Sequence, residues 1–253
     1  MHTTIKVMSF NLRYENNYDG INSFENRKPR VLQTIRDENP DLIGFQEGLD
    51  SMRTWLRENL TDYLVLGCGR NGDYTGESGP IAIRRDRFDL LTYRTAWLSP
   101  TPDVPGSRYA DSDQSGCPRI YQEARLILPG YGRILRFVNL HTDHAGEEAR
   151  MLEVTQLLRE MGDVKNEVLI FTGDFNATPD APEIRYMTEG RPELGLADAS
   201  ASLSGTYHEF GRVKPVKIDY IFTNLPFGET RQIHREPDFI SDHDPIVTIL
   251  SLS

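Results

Sequence analysis

Cysteine is scarce in this chain of 253 residues: only Cys68 and Cys117 occur, far apart and in no metal-type spacing. That argues against a cysteine zinc site and against a disulfide framework, so both read as free thiols. Also missing is any run of about eighteen apolar residues, the length a membrane-spanning helix needs. The opening MHTTIKVMSF has neither the basic start nor the long apolar stretch of a secretory signal, so the expected location is cytoplasmic. Basic charge is in short supply as well. Twenty-eight Lys and Arg face thirty-eight Asp and Glu, a formal charge of -10, which opposes indiscriminate binding to a phosphate backbone or an anionic membrane. A nucleic-acid partner would need local help, such as a bound cation. Finally, there is no low-complexity tract, charge block or fixed-period repeat. With 38% hydrophobic and 26% charged residues the chain has the composition of a globular protein, expected to form one domain over residues 1–253.

What is present alternates. IKVMSFNL reads as a strand; NRKPRVLQTIRDEN then sets Val31, Leu32 and Ile35 at helical spacing, with Pro29 tolerable only near the helix start. DLIGFQE returns to strand, DSMRTWLRENL to a helix with Met52, Trp55 and Leu56 inward, and YLVLGCG to strand. PIAIRRDRFDLLTYRTAWL and RIYQEARLILPGYGRILRFVNL each hold two strand-like runs around a turn, predicting two hairpins and hence mixed sheets. Between them residues 99–118, with four prolines and two glycines, predict a functional surface loop. GEEARMLEVTQLLREM places Met151, Val154, Leu158 and Met161 on one helical face, and the strands EVLIF, VKIDYIF and PIVTIL follow. The architecture expected is two mixed sheets packed together with helices outside.

Polar residues repeatedly end or interrupt the apolar runs: Asn11, Glu47, His141, Asp174 and Asn176, Asp219, and the SDHD segment containing Asp242 and His243. Groups at strand ends share one rigid edge in α/β sheets, so the recurrence suggests one site. Each also has a plain reading. Asp and Asn are common turn formers after strands, and Glu47 can simply be solvated. His141 and His144 at i,i+3 could be half of a zinc site, but no matching ligands follow. Asp219 among apolar neighbours is harder to dismiss, because a buried carboxylate needs a partner. Together the set is coherent. The oxygen donors of Asn11, Glu47 and Asp242 suit Mg²⁺ or Mn²⁺, and the histidines suit proton transfer or contact with a charged oxygen, the requirements of phosphoester hydrolysis.

The ordered motifs SFNLR, FQE, NLHTDH, GDFNATP, KIDYIF and SDHDPI resemble the endonuclease/exonuclease/phosphatase superfamily over nearly the full chain. The resemblance implies a four-layer α/β sandwich and metal-dependent phosphoester hydrolysis. It implies Glu47 as principal metal ligand with Asn11 and Asp242 in support, and Asp174 and Asn176 orienting water and contacting phosphate. His141 would donate to a phosphate oxygen, and His243, held by Asp219, would be general base or phosphate contact. The chain lacks the PAWTDR-like element of phosphoinositide phosphatases and is closer in wording to bacterial members related to messenger-RNA deadenylases. There CPRIYQEARL implies Arg119 as a substrate contact, although a solvated arginine fits as well. Tyr109, Tyr121, His144, Tyr207 and His208 are further candidates for holding substrate, the tyrosines by stacking on one base or sugar. Single-stranded nucleic acid is the first expectation for the substrate, and a small phosphoester such as a sugar phosphate or lipid headgroup the second. A catalytically silent phosphate-binding module is the alternative of another class.

Overall fold

The structure, a computed structural model, describes residues 4–252; residues 1–3, part of the opening stretch read for a targeting signal, and Ser253 lie outside the described residues. The first third runs β1 (Thr4–Asn11), α1 (Phe24–Glu38), β2 (Leu42–Gln46), α2 (Asp50–Asn59) and β3 (Tyr63–Leu66). There follow β4 (Ile81–Arg84), β5 (Asp89–Trp97), β6 (Ile120–Ile127), β7 (Ile134–His141), α3 (Glu147–Glu160) and β8 (Val168–Asp174). The chain closes with α4 (Pro182–Glu189), β9 (Ala197–Asp198), β10 (Asp219–Thr223), β11 (Arg231–Gln232) and β12 (Ile246–Ser251).

Two six-stranded mixed sheets result, in the orders β11-β12-β1-β2-β4-β3 and β5-β6-β7-β8-β10-β9. Strand alternation explains the layering. One face of each sheet meets the other sheet, with Val7, Leu42, Ile83, Ala124, Leu135, Phe137, Ile170 and Ile221 in a shared core. The opposite face of the first sheet packs Met8, Phe10, Ile43 and Phe45 against Val31 and Ile35 of α1 and Met52 and Leu56 of α2. That of the second packs Val138, Leu140, Leu169 and Phe171 against Val154, Leu157 and Leu158 of α3 and Ile184 and Met187 of α4. This is the four-layer sandwich expected. No helix among the described residues is long and apolar enough to cross a membrane.

Three sequence expectations need correction. The first of the two hairpins does not exist. β4 pairs with β2 and β3, whereas β5 pairs with β6 in the other sheet, so the RRDR turn carries the chain across the sandwich. Only β6 and β7 pair as read. Pro29 is not at the start of α1 but in its second turn, since Phe24 opens the helix. Its missing N–H falls where the backbone bond to Glu25 would form. Met151 is only half-buried, and Glu153, Gln156 and Leu157 take up much of the inner face of α3.

The sheets are locked by a polar seam just below their common edge. Gln46 Nε2 donates to Asn139 Oδ1 (2.7 Å), as does Thr172 Oγ1 (2.9 Å), while Asn139 Nδ2 donates across to the Phe45 and Gly79 carbonyls (2.6 and 3.0 Å). The three side chains are buried; the bonds of Asn139 to Gln46, Phe45 and Gly79 cross between the sheets and fix their relative slide, while Thr172 holds the Asn139 amide from within its own sheet.

Candidate active site

The strand ends converge. Asn11 is the last residue of β1, Glu47 follows β2, and His141 and Asp174 end the parallel pair β7 and β8, directly opposite one another. Asp219 opens β10 and faces Asp174 across the antiparallel pair. Asp242 and His243 lie just before β12. Glu47, His141, Asp174, Asp242 and His243 line a cavity of about 450 Å³, and Asn11 and Asp219 lie behind them, bonded to Glu47, Asp174 and His243.

At its floor Asn11 Nδ2 donates to Glu47 Oε1 (3.1 Å) and Asp174 Oδ2 (3.0 Å). Its amide oxygen is taken by the Arg13 N–H (2.9 Å), which fixes the orientation of the amide. Asn11 therefore holds two carboxylates by donation from its amide nitrogen. Glu47 Oε2 accepts from the Tyr14 N–H (3.0 Å), so both of its oxygens are oriented. Arg13, Glu47 and Asn176, which all line the cavity, have left-handed backbones (φ 52°, 62° and 47°), a conformation non-glycine residues keep only when the surroundings impose it.

His243 gives its Nδ1–H to Asp219 Oδ2 (2.8 Å), and its Nε2 lies 3.7 Å from Asp174 Oδ2. Burial opposes the charged imidazole, but Asp219, Asp174 and Asp242 outweigh it and hold His243 well above the ordinary histidine range. Burial, reinforced by Asp219, pushes Asp174 up to about 7. Burial and the nearby Arg119 and Arg70 push His141 well below its ordinary value, so it is neutral. Its Nε2 accepts from Asn176 Nδ2 (2.9 Å), which also donates to the Thr142 carbonyl (3.1 Å). His141 thus fixes Asn176, and the donor facing the cavity that the resemblance implied at His141 is not formed here.

Glu47, Asp174 and His243 place one atom each within 4.8 Å of one another; the protonated His243 ring has no lone pair to give, so the carboxylates of Glu47 and Asp174 are the donors fit for a divalent cation. Asp242 lines the same cavity, but its Oδ2 is 3.7 Å from Arg13 Nε, so its charge is shared with that guanidinium. The half zinc site at His141 and His144 is not assembled. His144 Nδ1 instead accepts from Arg119 (2.8 Å).

Arg119 is in the cavity wall, buried between His144 and Asp143 (Nε to Oδ2 3.4 Å). Tyr207 is there too, its ring 4.8 Å from that of His243. Tyr121 is not. It points outward from β6 to the helix layer, fully buried, with its hydroxyl on Glu160 (2.8 Å). Tyr109 donates to Gln156 of α3 (2.9 Å), and His208 is buried beside Asp244, outside the cavity lining. These three cannot stack on or hold a substrate.

The sequence reading missed Arg70 and Glu77, a cavity-wall ion pair (2.8 Å) on the connection between β3 and β4, where no apolar run marks them. Burial raises Glu77 above the usual carboxylate range, with Arg70 opposing. It also missed Asp143, although this residue sits between the two chosen histidines of NLHTDH. Its carboxylate accepts from the Ser115, Ala145 and Gly146 N–H groups and the Ser115 hydroxyl, which overcome burial and hold it well below the usual range.

Comparison with known proteins agrees with this fold. A solved endonuclease/exonuclease/phosphatase from Bacteroides vulgatus matches with a TM-score of 0.92 at 32% identity, covering 100% of both chains. A mannosyl-6-phosphatase from Bacteroides thetaiotaomicron VPI-5482 matches with a TM-score of 0.81 at 29% identity, over 96% of this chain and 98% of that one. An uncharacterised protein of Acanthamoeba polyphaga mimivirus is 24% identical over 97% of this chain and 99% of its own. The family model matches residues 8–243, and the chain belongs to the endonuclease/exonuclease/phosphatase family.

Proposed function

We propose that this chain is a Mg²⁺- or Mn²⁺-dependent phosphoester hydrolase acting on a small phosphorylated molecule of the sugar-phosphate class. One observation carries the reading: the buried Asp219–His243 pair and the Asn11-clamped carboxylates of Glu47 and Asp174 face one cavity of about 450 Å³.

A divalent ion, when bound, supplies charge neutralisation on the phosphate and polarises it for attack. Glu47 is its principal holder, with Asp174 and Asp242 as the other carboxylates lining the cavity. Asp219 keeps the His243 proton on Nδ1 and favours the imidazolium, leaving Nε2–H to donate to a phosphate oxygen. Asp174, held upward by burial and by Asp219, lies beside the position of the attacking water and orients it. Neutral His141 and the Thr142 carbonyl accept both amide N–H groups of Asn176, so Asn176 would contact the phosphate only by giving one of them up.

The wall supports a small substrate. Arg119 and Arg70 offer charged donors, and Glu77 an acceptor for hydroxyls. The mannosyl-6-phosphatase likeness points the same way. Single-stranded nucleic acid keeps one support, the Tyr207 ring beside His243, but loses Tyr109 and Tyr121. A silent binding module fits poorly with so complete a set of oriented acid and imidazole groups.

The test is a panel of hexose phosphates, single-stranded oligonucleotides, duplex DNA and phospholipids with Mg²⁺ or Mn²⁺ and with chelator. Hexose phosphates should be hydrolysed fastest and only with metal. Faster cleavage of oligonucleotides would overturn the substrate class, and no hydrolysis of anything would overturn the enzyme reading.

A further inference from the structure

On the far side of Tyr207 and His243 lies a cluster that the hydrolytic site does not use. Asp244 Oδ1 is 3.1 Å from His208 Nε2 and 3.0 Å from His234 Nδ1, and its Oδ2 is also 3.0 Å from His234 Nδ1. We propose that His208, His234 and Asp244 form a second metal site, for a transition-metal ion of the zinc class, which ties together the loops behind the catalytic histidine.

The donor set is two imidazoles and one carboxylate, borderline ligands that favour zinc-class ions over Mg²⁺. Three ligands at about 2.0–2.1 Å from a tetrahedral centre are about 3.3 Å apart. The two edges to Asp244, at 3.0–3.1 Å, therefore need to open by only a few tenths of an ångström, and the third, between the two imidazole nitrogens, lies within 4.8 Å. Charge also calls for a cation: Asp244 is buried, and among the described residues its ion pairs are only with these two histidines. An open fourth position is supplied on the solvent side, where the His234 side chain is 43% exposed. The supporting contacts are of the kind that orient metal ligands. Gln232 Nε2 donates to Asp244 Oδ2 (3.1 Å), and Glu236 lies 3.7 Å from the outer nitrogen of His234.

In the ion-free molecule the Gly211 N–H points at His208 Nδ1 (3.3 Å), so Nε2 carries the imidazole proton and donates it to Asp244. Binding shifts that proton to Nδ1 and gives up the Gly211 contact. That contact is long, and Gly211 sits in an exposed turn at φ +76°, where the backbone can yield. The consequence for the catalytic loop follows from adjacency. Asp244 is next to His243, and His208 next to Tyr207, whose ring packs on His243. An ion here fixes both sides of that contact.

The experiment uses tag-free full-length protein. With Glu47→Gln and Asp174→Asn together removing carboxylates of the other site, Co²⁺ titration should give tetrahedral visible absorption at one equivalent, displaced by Zn²⁺, and His234→Ala should weaken binding at least ~100-fold. In the otherwise unaltered chain under excess Mg²⁺, His234→Ala should lower the Zn²⁺ stoichiometry by one, which tests the site even if the double variant fails to fold. Absent tetrahedral absorption from the folded double variant, or Zn²⁺ binding indifferent to His234→Ala, would overturn the proposal.

Discussion

Asp219 accepts the Nδ1–H of His243 at 2.8 Å, and both side chains are almost wholly withdrawn from solvent. A buried carboxylate in that position selects the tautomer and stabilises the protonated ring. Asp219→Asn keeps the shape and removes the charge. It should lower kcat by roughly 10²–10⁴-fold, the range that tautomer loss in such pairs produces. Metal affinity, measured by calorimetric titration of Mn²⁺, should change little. Lost metal binding with unchanged kcat at saturating Mn²⁺ would assign Asp219 to the ion.

Glu47 has both oxygens oriented, one by Asn11 and one by the Tyr14 N–H. Glu47→Gln should abolish activity to the level that chelator leaves in the unaltered enzyme and should weaken Mn²⁺ binding. Asn11→Ala removes only the clamp, so it should reduce metal affinity by roughly 10–100-fold, the usual effect of losing a ligand's hydrogen-bond partner. Equal Mn²⁺ affinity in Glu47→Gln and the unaltered chain would refute the assignment.

The residues of the candidate site were legible because they end or break largely apolar runs: Asn11, Asp174 and Asp219 are terminal residues of their strands. The fold class followed from the same periodicities. What a strand residue faces is harder to read. Tyr121 is in register with Leu140 on the helix side of the second sheet, whereas its neighbour Gln122 faces the seam, and the parity was not visible in IYQEARL. Sheet membership is not local either, so β4 and β5 looked like a hairpin although the turn between them changes sheets. α4 went unread, yet Pro182 at its first turn and Ile184 and Met187 three apart were the signals. Arg70 and Glu77 carry no such signal, because long connections reach the cavity by tertiary packing alone.

Arg119 makes two directed contacts, Nε to Asp143 and a terminal nitrogen to His144. Lysine has one point charge and cannot make both. If Arg119 binds substrate from the cavity wall, as proposed, without taking part in proton transfer, Arg119→Lys should raise KM by about tenfold with a smaller change in kcat. Tyr121→Phe, which loses only the hydroxyl contacts with Glu160 and Arg94, should leave both parameters close to those of the unaltered enzyme. Steady-state kinetics on whichever phosphoester the panel shows to be hydrolysed fastest separates the two.

Gly44 lies where the sheets come closest. A β-carbon there would fall 2.0 Å from Thr172 Oγ1 and 2.3 Å from Asn139 Oδ1, the centre of the polar seam. Gly44→Ala must either push the sheets apart or break the bonds on Asn139. Overpacking of this kind costs about 1–3 kcal/mol. Because Gln46 and Asn139 lie directly under Glu47 and His141, kcat should fall in parallel with the urea midpoint. A variant with unaltered midpoint and kcat would mean that the seam does not set the site.

Glu153 gives the stability a pH dependence of its own. It is wholly buried on α3, where Oε2 accepts the Asp143 N–H (2.9 Å) and Oε1 has no hydrogen-bond partner among the described residues. Burial pushes its pKa up to about 8 from an ordinary 4.5, so the folded chain holds this proton more tightly than the unfolded one. The contribution is fully present below about pH 4.5, where both states are protonated. As pH rises the unfolded chain releases the proton first, and the contribution shrinks until the folded pKa near 8 is passed. A tenfold difference in proton affinity between the two states is worth about 1.4 kcal/mol, so the full loss is on the order of 3–5 kcal/mol. Glu153→Gln stays neutral throughout and should flatten this component. Urea unfolding at about pH 5, 7 and 9 should therefore show the variant gaining stability relative to the unaltered chain as pH rises. A stability difference between the two that is constant across that range would show that Glu153 is ionised in the folded protein.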